Sequence, residues 1–301
     1  FIDPRTGKFF ERHVRMRACP VCGGKKSHAI FFKDGGTYVK CETCTMVYPN
    51  PVFKESSLKE FYQIVDSGQA KITVAESDFY TEIYSRGLKA LTHFVKPGTL
   101  LDVGCGSGFF LDIAKKKKWQ TTGIELSPSD AAIAASHGHR MFSDPIEDIT
   151  FTEKFSAITL WDVFEHIVEG GPYLKALSKL LTKDGVVFMQ IPNSDSLAAR
   201  IMREKCNMFH TLGHVSLYNP HTIELMAKKS GFKIVHMETV ISEMAVINNF
   251  LNYEDPYFGS EKNTNKLLGL IGASDIHANK LGYKMQIIMK PARAYVRAPL
   301  L

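Results

Sequence analysis

The chain has 301 residues, 45% of them apolar, 11% aromatic and 23% charged, proportions that exclude a disordered, collagen-like or coiled-coil protein. Thirty-seven Lys and Arg against 31 Asp and Glu give a net charge of +6 at pH 7, which favours an anionic small-molecule substrate and falls short of the basicity of a dedicated nucleic-acid binder. No stretch reaches the roughly 18 consecutive apolar residues of a membrane-spanning helix, and Phe1-Ile2-Asp3-Pro4-Arg5 lacks the apolar core of a signal peptide, so a cytoplasmic protein with no membrane partner is expected. The length suits one large domain plus a small one; no oligomeric signature is evident.

Cys19 and Cys22 form one C-x-x-C and Cys41 and Cys44 a second, with eighteen residues between them, the spacing of a four-thiolate zinc site. Gly23-Gly24 lets the backbone turn tightly round a tetrahedral ion. Residues 29–32 and 37–40 flank Asp34-Gly35-Gly36 and are predicted to form a β-hairpin. Residues 15–50 therefore read as a zinc ribbon in an N-terminal unit of residues 1–50, and four thiolates leave no open position for catalysis. Two disulfides are the competing reading, disfavoured in a cytosolic chain. Arg12, His13, Arg15, Arg17, Lys25 and Lys26 gather here as a solvated basic face or a contact surface for nucleic acid or protein; equally, a ribbon can simply staple a segment too small to fold alone. Cys105 and Cys206 have no spaced partner and read as buried.

Residues 51–95, with Phe61, Tyr62, Phe79, Tyr80 and Tyr84, are predicted to be a helical cover. From residue 96 strands and helices alternate: strands at 99–103, 121–125, 140–142, 155–161 and 185–192, and helices at 109–118, 128–137 and 173–181. This alternation implies a mostly parallel, doubly wound sheet with ligands at the carboxyl ends of its strands. The lysine run 115–118 suits a solvated helix C-terminus. Further strands are predicted at 231–240 and 283–290, with an insert at about 241–281 whose Phe250, Tyr253, Tyr257 and Phe258 suit a lid, a dimer surface or plain packing.

Gly104-Cys105-Gly106-Ser107-Gly108 follows the first of these strands. Glycine at every second position permits a tight turn and close approach of backbone N–H groups to a ligand. The pattern is neither G-x-G-x-x-G nor a P-loop. Glu125, about twenty residues on, sits where a carboxylate can accept both hydroxyls of a ribose. The ligand is nucleoside-like and need carry no pyrophosphate.

Leu100-Leu101-Asp102-Val103-Gly104-Cys105-Gly106-Ser107-Gly108, Gly123-Ile124-Glu125-Leu126-Ser127 and Trp161-Asp162-Val163-Phe164-Glu165-His166 together resemble the class I S-adenosylmethionine-dependent methyltransferases over residues 80–240, in particular the ubiquinone-type O-methyltransferase group. The resemblance implies a seven-stranded sheet over residues 96–301 with S-adenosylmethionine as cofactor. Asp102, Gly104, Gly106 and Gly108 would line its methionine part, Tyr80 would reach its carboxylate and Glu125 would hold the ribose. Asp144 and Ile146 would lie near the adenine, with Leu126 and Trp161 completing the set.

Methyl transfer from a sulfonium is an in-line displacement, so the protein must align the acceptor, exclude water and relieve a hydroxyl of its proton. If a helix begins after residue 161, Asp162, Glu165 and His166 share one face and can hold a divalent cation such as Mg that polarises the acceptor. The resembled enzymes carry Glu-x-x-Glu-His there, with metal ligands; this chain has Asp at the first position. Without metal, His166 is a candidate general base; a capping box of Asp162 and Glu165 is the purely structural reading. Beyond the fifth strand, Asn193, His210 and Tyr218 are candidates for substrate binding and His214 for catalysis. The expected activity is O-methylation of a sugar, nucleotide-sugar or related metabolite. The alternatives are an RNA methyltransferase gripping substrate with its ribbon, or a non-catalytic cofactor-binding regulator.

Overall fold

The structure, a computed structural model, describes residues 1–58, 77–241, 247 and 272–292. Near the N-terminus β1 (Val14–Arg15) pairs antiparallel with β5 (Val52–Phe53), enclosing β2 (Ser27–Lys33), β3 (Gly36–Cys41) and β4 (Val47–Pro49), an antiparallel sheet of their own. Asp34 and Gly35, at φ of 47° and 83°, make the tight turn from β2 to β3, the mirror-image geometry that matches the twist of a hairpin. A third strand, β4, extends the expected hairpin.

The predicted central sheet is present. Helix α1 (Ser77–Thr92) leads to β6 (Thr99–Val103), α2 (Phe109–Lys116), β7 (Gln120–Ile124), α3 (Pro128–Ser136), β8 (Arg140–Phe142) and β9 (Phe155–Trp161). After these come α4 (Gly170–Leu180), β10 (Leu181–Pro192), α5 (Leu197–Met202), α6 (Pro220–Lys229), β11 (Phe232–Val240), α7 (Ala273–Ala278) and β12 (Lys284–Pro291). The strand order is β11-β12-β10-β9-β6-β7-β8, with β12 antiparallel to both its neighbours and the other pairings parallel. The chain winds outward from β6 to β8, then returns to β9 on the other side of β6. The switch point therefore lies between β6 and β9, where such sheets open a cleft at their carboxyl ends. Both strands are mostly apolar because helices cover both faces: Leu100, Leu101, Ile158 and Leu160 are wholly buried, with Asp102 and Thr159 the buried polar pair between them.

Local chemistry sets the helix starts. Ser127 accepts from the Asp130 amide and Pro128 occupies the first turn of α3; Ser196 caps α5, and Asn219 with Thr222 forms a capping box on α6. Helix α4 begins three residues earlier than predicted, at Gly170, where a close approach requires glycine: a Cβ would stand 2.7 Å from the Tyr218 hydroxyl. Strand β10 starts at Leu181 rather than 185, with a bulge between Leu181 and Val186. Within 51–95, Phe61 and Tyr62 lie outside the described residues, as do Phe250, Tyr253, Tyr257 and Phe258 of the insert. Among the described residues no helix is long and apolar enough to cross a membrane.

Candidate active site

The glycine loop leaves β6 with Gly104, Gly106 and Gly108 all at positive φ, 68°, 54° and 86°, a conformation open chiefly to glycine. Two of the three are also closed off sterically: a Cβ on Gly104 would meet Val163 at 2.7 Å, and one on Gly108 would meet Ala134 at 2.9 Å. Nothing lies within 4 Å of such an atom on Gly106, so this residue faces open space. The Glu125 carboxylate accepts from the Gly106 amide (2.9 Å) and from the Ser127 amide (2.8 Å), which ties the loop to the end of β7. Each oxygen keeps a further lone pair for a ligand hydroxyl. Beneath the loop Asp102 is buried, accepts from the Thr159 hydroxyl at 2.6 Å, and has its carboxyl pushed up to about 8 by burial, with Glu125 nearby adding to the rise.

At the end of β9 the geometry departs from the helical face expected of residues 162, 165 and 166. Asp162 takes φ of 55°, and a 3-10 turn, Phe164–His166, follows it with no side-chain cap, so neither the shared helical face nor the capping box forms. Asp162 turns instead toward the sheet, where it accepts from Lys284 Nζ at 2.6 Å and from Gln190 Nε2 at 3.1 Å. Glu165 and His166 meet His214: one carboxylate oxygen and one ring nitrogen from each histidine lie within 4.8 Å of one another. Glu165 is 1% exposed, and neither of its oxygens has a hydrogen-bond partner among the described residues. Burial pushes its carboxyl up to about 8, the Asp162 charge raising it further and the Lys284 charge opposing.

Both histidines have defined tautomers. His166 Nδ1 lies 3.0 Å from the Gly213 carbonyl and His214 Nδ1 2.6 Å from the Met208 carbonyl; a carbonyl only accepts, so Nδ1 carries the proton and Nε2 the lone pair on each ring. Burial holds His166 neutral down to about 4 and His214 well below its usual value. Two neutral imidazoles and an unbonded buried carboxylate form a donor set that fits a divalent cation.

The other expected residues are dispersed. Asn193 is fully buried, its amide donating to the Lys280 and Gly282 carbonyls and its oxygen accepting from the Asp195 amide, so both of its N–H donors are committed to shaping a loop. Tyr218 is buried behind the site, stacked on Phe164 at 5.2 Å. His210 is exposed, its ring 6.3 Å from that of His214. Trp161 packs into an aromatic core with Tyr84 (4.7 Å) and Phe188 (4.5 Å), under Gly87, where a Cβ would collide with it at 2.5 Å. Tyr80 is buried beside Tyr84. Leu126 is 53% exposed at the end of β7, Asp144 is exposed, and Ile146 is buried in the turn after β8.

Sequence reasoning missed Lys284, Gln190 and Gln286. Gln286 donates to Gln190, which donates to Asp162, so a polar chain crosses β12, β10 and β9 inside the sheet. The signal was one glutamine in the apolar run Val186 to Ile191, and polar residues at 284 and 286 of a strand otherwise buried on both faces.

In the ribbon, Cys19 and Cys44 sulfurs lie 3.5 Å apart, as do those of Cys22 and Cys41. These separations are far longer than a disulfide bond, and all four sulfurs fall within 4.8 Å of one another, a fit to tetrahedral zinc. The Gly24 amide donates to Cys22 Sγ. A third cluster, Asp112 with His137 and His139, is satisfied internally by two hydrogen bonds of 2.8 and 3.1 Å.

Comparison with known proteins agrees with this architecture. The ubiquinone biosynthesis O-methyltransferase of Bradyrhizobium diazoefficiens is 27% identical over 100 residues, 31% of this chain and 40% of that protein. The enzyme of the same name from Hydrogenovibrio crunogenus is 26% identical over 149 residues, 44% of this chain and 61% of its own length. The chain thus spans less than two thirds of these relatives. The fold is shared with a plantazolicin methyltransferase solved in complex with SAH, at a TM-score of 0.51 and 15% identity, covering 79% of this chain and 99% of that one. A family model described as a methyltransferase domain matches residues 77–237, more than half the chain: the protein belongs to that family, in its class I S-adenosylmethionine-dependent form.

Proposed function

We propose that this protein transfers the methyl group of S-adenosylmethionine to an oxygen of a small polar acceptor, such as a sugar, nucleotide-sugar or related metabolite. One observation carries the reading: Glu165, buried with neither oxygen hydrogen-bonded among the described residues, converges with His166 and His214 beside the glycine loop, where Val163 of the same segment packs against Gly104. The named activity of the relatives, O-methylation, supports oxygen as the acceptor atom.

S-adenosylmethionine supplies an electrophilic methyl group; the residues that would seat it are Gly104, Gly106 and Gly108, Glu125 and the Leu126 side chain. Glu165, His166 and His214 would hold a divalent cation, which lowers the pKa of an acceptor hydroxyl. Two imidazoles suit the manganese-to-zinc series better than magnesium, which prefers an all-oxygen shell. A His166 ring neutral down to about 4 supports a ligand role over that of general base, because an effective base titrates near the working pH. Asp162 stands outside the donor set, held by Lys284. A structural zinc on Cys19, Cys22, Cys41 and Cys44 completes the proposal.

The test is incubation with methyl-labelled S-adenosylmethionine and separate pools of polar metabolites and RNA. Label in the metabolite pool that is lost in Glu165→Gln, with cofactor binding intact by calorimetry, supports the reading. Label confined to RNA would establish the gripping-ribbon alternative, and binding without transfer in any pool would point to a regulator.

A further inference from the structure

We infer that the four-cysteine ribbon is a positioning element of the candidate active site, acting through Tyr38 on the segment of residues 208–219 that carries His214. This rests on the reading of Glu165, His166 and His214 as the acceptor site, and extends it to the N-terminal unit.

Between the 3-10 turn at Arg203–Lys205 and α6, residues 208–219 form neither helix nor strand apart from one bridge, yet most of them are buried. Buried irregular backbone has to find its hydrogen bonds elsewhere. On one side the partners come from the turn after β9: the Val215 and Ser216 amides donate to the Glu165 carbonyl (3.0 and 2.9 Å), and His166 donates to that of Gly213. On the other side they come from the ribbon. The Tyr38 hydroxyl donates to the His214 carbonyl at 2.9 Å, and the Leu217 amide donates to the Val47 carbonyl at 2.9 Å. Thr211 Oγ1 lies 2.9 Å from the carbonyls of both Lys33 and Asp34 in the β2–β3 turn. The Arg17 guanidinium donates to the carbonyls of Val215 and Val168 and lies over the Tyr48 ring. The segment is thus clamped between the turn bearing Glu165 and the ribbon.

The two halves of the ribbon differ in one telling way. The residue after Cys22 is Gly23 and the residue after Cys44 is Thr45, both at positive φ, 77° and 66°. Glycine is the unstrained choice there, whereas a β-branched residue is strained. Thr45 is where its side chain accepts from Asn219, the capping residue of α6, at 3.1 Å. The strained threonine therefore sits at the contact with the segment's far end. Tyr38, Met46 and Tyr48 are wholly buried, and the cysteines share one core cluster with Leu101 and Phe164, so this face of the ribbon is turned to its own chain.

Tyr38→Phe removes a single hydroxyl from the full-length protein, and hydrogen exchange followed by mass spectrometry reads the result. Amides in residues 208–219 are expected to exchange about tenfold faster, the consequence of losing one buried hydrogen bond. Peptides from residues 99–125 and the calorimetric affinity for S-adenosylmethionine should not change. In the transfer assay kcat should fall with KM for the cofactor unaltered, a split that general destabilisation would not give. Thr45→Gly relieves strain while deleting the Asn219 contact, so it should loosen the same segment without lowering the melting temperature. Unchanged exchange across 208–219 in both variants would overturn the inference, as would loosening spread evenly over the chain. Local loosening with normal turnover would also overturn the positioning role, and it would take His214 out of the acceptor site.

Discussion

Glutamine at position 125 is the substitution that most directly probes the cofactor cleft. The Glu125 carboxylate accepts from two backbone amides, of Gly106 and Ser127, at 2.9 and 2.8 Å. Glutamine has one acceptor oxygen and one donor nitrogen, so whichever way the amide turns, an NH2 group faces one of the two N–H groups. Leaving one such donor unmet costs about 1–3 kcal/mol, and replacing a charged acceptor to a ribose hydroxyl by a neutral one costs about as much again. Because Glu125 is only partly buried, the lower ends apply, roughly 2–3 kcal/mol together, or a 30–150-fold rise in Kd for S-adenosylmethionine. Isothermal calorimetry of wild type and Glu125→Gln at one pH and salt concentration measures this, with circular dichroism confirming that the variant is folded. A folded variant whose Kd lies within threefold of wild type would refute the assignment of Glu125 to the sugar.

Glu165 predicts a pH dependence. Its carboxyl is pushed up to about 8 from 4.5, so the folded chain holds that proton more tightly than the unfolded one; the contribution is complete below about pH 4.5 and is lost as pH rises to about 8. Glu165→Gln should match wild type near pH 5 and exceed it at pH 9 by roughly 3–5 kcal/mol without added divalent ions; equal denaturation midpoints at pH 9 would contradict this. Gly108→Ala combines a left-handed φ with a 2.9 Å collision and should lower stability by about 2–4 kcal/mol. Gly106→Ala meets no atom and should cost about 1 kcal/mol while weakening cofactor binding; a reversed order in thermal melts would show that the loop is held differently. Lys284→Met removes the cation beside Asp162, whose side chain is 35% exposed and keeps its bond from Gln190, and should destabilise by about 1–2 kcal/mol, with Asp162→Asn in the same chain restoring part of it; if the losses of the two singles simply add in the double variant, the ion pair does not hold the strands together as described.

The parts of this molecule that were readable from the sequence are those dictated by neighbours along the chain. Strands at 99–103 and 155–161 fall where their apolar runs placed them, because a strand buried on both faces shows a largely apolar composition; the short edge strand at 140–142 also falls where expected, though it is only partly buried. The glycine loop and the paired cysteines were readable for the same reason: the chemistry lies within a few residues. The site beyond β9 was not. Its arrangement depends on Asp162 adopting a left-handed backbone conformation, which sends it to Lys284, 122 residues away, and gives its expected place to His214. Asn193 has the right residue type at the right end of a strand, yet its amide is committed to two carbonyls of a loop that no local pattern connects to it.

The sheet's edge order has a consequence for synthesis. Among the described residues strand β11 pairs only with β12, which joins it to β10. Emerging vectorially, β11 has no strand to dock against until residues 284–291 arrive, and β10 meanwhile presents a bare hydrophobic edge. Completion of the sheet is thus a late, long-range closure, and nascent or truncated chains lacking residues 284–291 should be the species that self-associate and engage chaperones.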